Sequence, residues 1–106
     1  MAGMGNMNHL MQQAQKMQRE LARVQEDLKE RMVEGSSGGG AVIVIASGDH
    51  VIMSVKLKPE VADQDDVKTL EDLVITAVNS ALEKSRELQR AETGKVTGGL
   101  NLPGLF

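Results

Sequence analysis

The chain has 106 residues, enough for one small domain, and a fold of this size buries only a modest fraction of its surface, so association with a further copy adds useful burial. It has no cysteine, which removes disulfides, thiolate nucleophiles and cysteine-based zinc or iron–sulfur centres together. Twelve Lys and Arg against fifteen Asp and Glu leave a net charge of −3, the wrong sign for coating nucleic acid by bulk electrostatics, so any anion-binding role has to come from a local patch.

Residues 1–7, rich in Gly, Met and Asn, read as a flexible N-terminal tail. The start MAGMGNMNHL lacks the basic and apolar regions of a signal peptide, and no apolar run approaches the roughly 18 residues of a membrane span, which predicts a cytoplasmic protein. From about Asn8 to Met32 there is no Gly or Pro and few β-branched residues, so this segment is expected to be helical. Leu10, Ala14, Met17, Leu21, Val24 and Leu28 recur alternately four and three apart, a narrow seam of the kind that pairs helices. Arg31 interrupts the pattern and ends it.

The middle reads as β-structure. Val33-Glu-Gly-Ser is a short first strand, GSSGGG (35–40) a flexible connection, and Ala41 to Ala46 a second, continuously apolar strand. Gly48-Asp49 is expected to make a type II′ hairpin turn. In the third strand Val51, Met53, Val55 and Leu57 alternate with Ile52, Ser54, Lys56 and Lys58, which predicts one buried face and one that turns basic before Pro59 stops the strand.

A second helix is predicted from about Asp66 to Ala91. Asp63, Asp65 and Asp66 can cap its first turn, and Val67, Leu70, Leu73, Val74, Ala77, Val78, Ala81, Leu82 and Leu88 form a stripe wide enough to cover a sheet. Residues 94–106, KVTGGLNLPGLF after Gly94, are broken by Gly and Pro and read as a flexible C-terminal tail. Residues 8–93 therefore make a single α+β domain, an α-β-β-β-α protomer with a three-stranded antiparallel sheet and two long helices.

Four segments in this order, MQQAQKMQREL (11–21), VEGSSGGGAVIV (33–44), LEDLVITAVNSAL (70–82) and GGLNLPG (98–104), resemble the YbaB/EbfC family of bacterial nucleoid-associated proteins over nearly the whole chain from Asn8 onward. The resemblance implies a homodimer that binds duplex DNA, alters its conformation and contributes to nucleoid organisation and gene regulation. It implies no enzymatic activity, no cofactor and no small-molecule substrate.

The residues agree on a dimer. The second helix covers one face of a small sheet, which leaves the first helix and the apolar strand in need of a partner. A dimer through the sheet and the N-terminal helix supplies it, with Leu10, Ala14, Met17, Leu21, Val24, Leu28, Val42 and Val44 at the interface. The alternative is that the seam packs on the protomer's own sheet.

For DNA, helical geometry places Lys16, Arg19 and Arg23 together opposite the seam, with Glu26, Asp27 and Glu30 further along the same outer face. A few such cations per subunit suffice for salt-sensitive phosphate contact, and Gln12, Gln13, Gln15 and Gln18 are further donors to phosphates or base edges. The competing expectation is a solvated face with intrahelical pairs Lys16/Glu20 and Arg23/Asp27. Lys84, Arg86 and Arg90 form a second candidate patch, diluted by Glu83 and Glu87. With one Phe and no Tyr or Trp, the chain lacks the rings on which single strands stack, so a duplex backbone is the expected target.

No catalytic constellation is found. Ser47-Gly-Asp49-His50 has the residue types of a hydrolase triad, but neighbours in one tight turn cannot converge on a substrate. The glycine loop lacks the Lys-Ser/Thr of a P-loop, His9 and His50 have no ligand-like spacing, and Asp63-x-Asp65-Asp66 is too short for a calcium loop. The alternative function is a protein–protein adaptor or small chaperone, using Met4, Met7, Met11, Met17 and the apolar tail Leu100 to Phe106 as an adaptable surface.

Overall fold

The computed structural model describes residues 2–62 and 65–98, the side chains of residues 2–5 excepted. Helix α1 (Ala2–Glu30) leads into β1 (Met32–Ser37), a glycine turn (Gly38–Gly40), β2 (Val42–Ser47) and β3 (Ile52–Leu57); a one-turn helix α2 (Pro59–Ala62) precedes the long helix α3 (Val67–Thr97). The strands form one antiparallel sheet in the order β1-β2-β3. This is the expected α-β-β-β-α order, with one added turn of helix at Pro59, a residue suited to a first helical position.

Both long helices outrun their expected limits. α1 starts at Ala2 rather than near Asn8, because Gly3 and Gly5 weaken a helix without blocking it and no proline intervenes. α3 likewise passes through Gly94 and ends at Gly98, whose left-handed backbone (φ 61°) returns its N–H to the Gly94 carbonyl at 3.1 Å. The remainder of the expected C-terminal tail, residues 99–106, lies outside the described residues. At the other end Asp66 is the cap: its carboxylate accepts from the Thr69 amide (3.1 Å) and hydroxyl (2.5 Å), and the hydroxyl bond above all lowers its pKa. Asp63 lies outside the described residues.

The core is a contact of small residues. Val42, Val44 and Ala46 of β2 are fully buried against Ala77 and Ala81 of α3, with Val33, Leu73, Val74 and Val78 around them. Gly35 of β1 lies beneath the helix, where a Cβ would stand 2.3 Å from the Ala81 nitrogen and 2.6 Å from the Ala77 carbonyl oxygen. The helix backbone thus rests directly on the strand, and any side chain at this position would lift it. Ser37 adds a hydrogen bond from its hydroxyl to the Leu73 carbonyl at 2.6 Å, and β1 consequently runs on to Ser37, shortening the expected loop.

Seated on β1 and β2, α3 does not roof β3. Val55 and Leu57 pair with Val44 and Val42 and so share their face, yet Ile52, Met53, Val55 and Leu57 are 37–55% exposed. The burial expected for Val51, Met53, Val55 and Leu57 is therefore not achieved within one protomer. A register shift beside Ile45/Ala46 also carries Ile52, rather than Met53, opposite Ala46.

The β2–β3 turn differs from the expected type II′ form. Gly48 does not adopt a left-handed backbone, whereas His50 does (φ 69°), giving the three-residue loop in which one left-handed residue closes the turn. Gly48 has a tertiary duty instead: its N–H lies 2.9 Å from the Leu28 carbonyl and 2.8 Å from that of Arg31, and a Cβ there would meet the Leu28 carbonyl oxygen at 2.7 Å. His50 is held by its ring. The buried Ser85 hydroxyl donates to the Ser47 carbonyl (2.7 Å) and so accepts from His50 Nδ1 (2.6 Å), while Nε2 meets the Gln89 side-chain amide at 2.8 Å. The Ser47 hydroxyl donates to Asp49, so the triad-like residue types serve the turn.

This turn docks the last part of α1. Val24 and Leu28 are buried, Met17 and Leu21 are half-buried, and Arg31 reaches Glu92 of α3 at 3.5 Å. Every described side chain from Asn6 to Lys16 is exposed, and α1 projects from the body as an arm in a molecule 77 Å long but only 24 by 16 Å in section.

Gly35→Ala tests the close seat of α3. It is expected to destabilise the fold by about 1–3 kcal/mol through overpacking, read as a lower urea midpoint with an unchanged slope.

Candidate nucleic-acid interface

The α1 arm carries two opposed faces. At about 100° per residue, Leu10, Ala14, Met17, Leu21, Val24 and Leu28 lie on one side, and Lys16, Arg19 and Arg23 lie on the other, pointing away from the docked face. The three cations are exposed and border a shallow cleft with Glu20. Neither Lys16/Glu20 nor Arg23/Asp27 forms among the described residues; the ion pair on this helix is Lys29–Glu26 at 3.1 Å, beyond the cationic cluster. Three cations against Glu20 therefore leave this part of the outer face with an excess of positive charge that no ion pair among the described residues ties down.

The α3 cations are differently placed. Arg86 and Arg90 both bind Glu83, at 3.0 and 3.3 Å, and these hydrogen bonds, first that of Arg86, hold the Glu83 carboxyl below its ordinary range. Lys84 points across to β1, where its ammonium donates to the Glu34 carbonyl at 2.7 Å. Lys95 pairs with Glu92 at 3.1 Å, and that bond, aided by Lys95 and Arg31 charges, lowers the Glu92 pKa. The two patches that look alike in the sequence thus differ in how much charge is spent internally. Lys56 and Lys58 of the β3 end are two further cations with no ion pair among the described residues, a signal visible in the alternation of that strand but not counted as a patch.

Of the residues expected at a dimer seam, Val24, Leu28, Val42 and Val44 are covered inside one protomer, whereas Leu10 and Ala14 are exposed and Met17 and Leu21 half-covered. The apolar surface absent from that expectation is the open face of β3. Among the described residues no group of three His, Cys, Asp or Glu is placed to hold a metal ion, and no helix is long and apolar enough to cross a membrane.

A small sheet is roofed by one helix, while a second helix projects and bears cations that form no ion pair among the described residues. Residues 4–100 match the model of the YbaB/EbfC DNA-binding family, and the chain belongs to that family. It is 57% identical over 103 residues to a nucleoid-associated protein of Acetivibrio thermocellus, covering 96% of this chain and 91% of that one. It is also 57% identical over 102 residues to a nucleoid-associated protein of Desulforamulus reducens, covering 96% and 97%. Among solved structures, that of the uncharacterized protein HP0035 from Helicobacter pylori shares the fold at a TM-score of 0.74 and 19% identity, over 84% of this chain and 94% of that one.

The internal spending of charge can be tested directly. Glu83→Gln is expected to release Arg86 and Arg90, raising the salt needed to elute the protein from a polyanion resin while leaving the melting temperature nearly unchanged, because all three side chains are exposed.

Proposed function

We propose that this protein is a homodimeric, non-enzymatic, nucleoid-associated protein that binds duplex DNA through the outer face of α1. The observation that carries the reading is the exposed, unpaired cluster Lys16, Arg19 and Arg23 on the outer face of α1, away from its docked side. Its family membership and the names of its relatives support DNA as the partner and the bacterial nucleoid of the cytoplasm as the location. Phosphate contact by three cations per arm gives weak, salt-sensitive affinity, and two arms in a dimer multiply it. Two linked contacts on one duplex also constrain its path, which supports a change in DNA conformation and, through it, an influence on gene expression. Lys84, Arg86 and Arg90 serve as secondary contacts once DNA competes for Glu83.

A second copy is the partner proposed for the open apolar surface. Ile52, Met53, Val55 and Leu57 form a row that a monomer leaves in water, and the exposed Leu10 and Ala14 on α1 add to it. Covering this surface supplies burial that a chain of 106 residues lacks on its own.

Two experiments separate these statements. Replacing Lys16, Arg19 and Arg23 together by Ala is expected to weaken duplex binding at least tenfold at low salt and to flatten its salt dependence, measured by fluorescence anisotropy, with circular dichroism unchanged. Parent-like binding by this variant would remove α1 as the interface. Val55→Glu is expected to yield a folded monomer by light scattering, since Val55 is already exposed in the protomer; a Val55→Glu protein that stayed dimeric would exclude the β3 face.

A further inference from the structure

The outer face of α1 carries more than phosphate-binding charge. Asn8, Gln12, Gln15, Arg19 and Arg23 follow one another at intervals of four, three, four and four residues, which places all five within an arc of about 80° on the helix. Gln13 and Gln18 fall about 100° or more from the middle of that arc. All five side chains are exposed and none has a hydrogen-bond or ion-pair partner among the described residues. Further along the same stripe stand Glu26 and Glu30, which a phosphate backbone would repel. The stripe is therefore divided into an amide segment at the free end of the arm, a cationic segment next to it, and an acidic segment near the body.

We infer that this stripe enters the DNA major groove, with Gln12 and Gln15 reading the adenines of A·T pairs while Lys16, Arg19 and Arg23 hold the flanking phosphates. The inference rests on the DNA-binding reading and adds the class of base pair recognised. A helix about 10–12 Å across fits a major groove about 12 Å wide, and the arm presents this face with no body beneath it. A glutamine amide has one donor and one acceptor at its tip, the complement of the adenine N7 acceptor and N6 donor, and that pair is available in the major groove alone. From Asn8 to Gln15 the helix rises about 10 Å, close to three base-pair steps of about 3.4 Å, so the amide segment spans a short site rather than a long operator. The acidic segment fixes the depth: Glu26 and Glu30 stay outside the groove, which leaves residues 8–23 as the inserted length.

The test compares three duplexes of equal length and charge by anisotropy: one rich in A·T, one of G·C alone, and the A·T duplex with 7-deazaadenine, which removes the N7 acceptor. The parent protein is expected to bind the A·T duplex about tenfold more tightly than the G·C duplex and to lose that preference with 7-deazaadenine. The Gln12→Ala/Gln15→Ala variant should bind all three alike, at the parent's affinity for the G·C duplex and with the parent's salt slope; both positions are exposed on a helix, so folding is unaffected. A parent that binds the three duplexes equally, or a variant that keeps the parent's preference, overturns the base-reading role and leaves the phosphate contacts standing. A parent that binds no duplex even at low salt overturns the DNA-binding reading itself, and base reading with it.

Discussion

The direct seat of α3 on Gly35 is the constraint from which the rest of the molecule follows. A helix normally stands off a sheet by the length of its side chains, but Ala77 and Ala81 give it none to stand on, and Gly35 gives the strand none to meet it. Intimate contact at one line commits the helix axis to β1 and β2. Three strands are wider than one helix placed in this way, so β3 keeps its apolar face open, not from any defect in its own pattern but because the neighbouring contact was too close to share. The same geometry places Ser85 in the core, one turn beyond Ala81, where a polar residue is tolerable because its hydroxyl both donates and accepts.

From Ser85 the polar chain runs to Ser47, His50 and Gln89, and it determines where α1 leaves the body. The turn that His50 closes brings Gly48 against the end of α1, and the Gly48 amide faces the carbonyls of Leu28 in the last helical turn and of Arg31 just beyond it. Only the final turns of α1 find a surface to pack on. The first half of the helix is held by its own backbone bonding and stands free of the body, an arrangement suited to presenting a helical pattern of side chains at a distance from the fold.

Much of this was legible in the residues. The order of elements follows from periodicities of two and of about 3.6, and the cap at Asp66 and the apolar stripe of α3, apart from the exposed Val67, are where those patterns put them. What escaped is non-local. Val55 and Val44 have equally good strand patterns, and nothing along the chain says which strand a helix will cross. Gly48 carries the signature of a left-handed turn residue, yet its missing Cβ is needed for Leu28, twenty residues away, and His50 takes the strained backbone because Ser85 and Gln89 hold its ring. The seam of α1 was legible as a stripe, but its division into a docked half at Val24 and Leu28 and a free half at Leu10 and Ala14 depends on how far the body extends beneath it.

The same distinction between pattern and pairing governs the electrostatics. By composition the chain is acidic, and by local counting both helices carry a basic patch. Composition decides neither sign nor strength at a surface, because a cation whose partner is 3 Å away contributes a dipole, whereas an unpartnered one contributes a charge. Glu83 converts two arginines of α3 into such dipoles, while on α1 Glu26, Asp27 and Glu30 gather near the body and Glu20, beside the cations, forms no ion pair with them among the described residues. At a screening length of about 8 Å, a polyanion approaching the arm feels mainly those cations and little of the acidic remainder. On the proposed reading, an excess of acid elsewhere then works with the patch rather than against it: it keeps the acidic part of the body off the polyanion and favours approach along the outer face of α1.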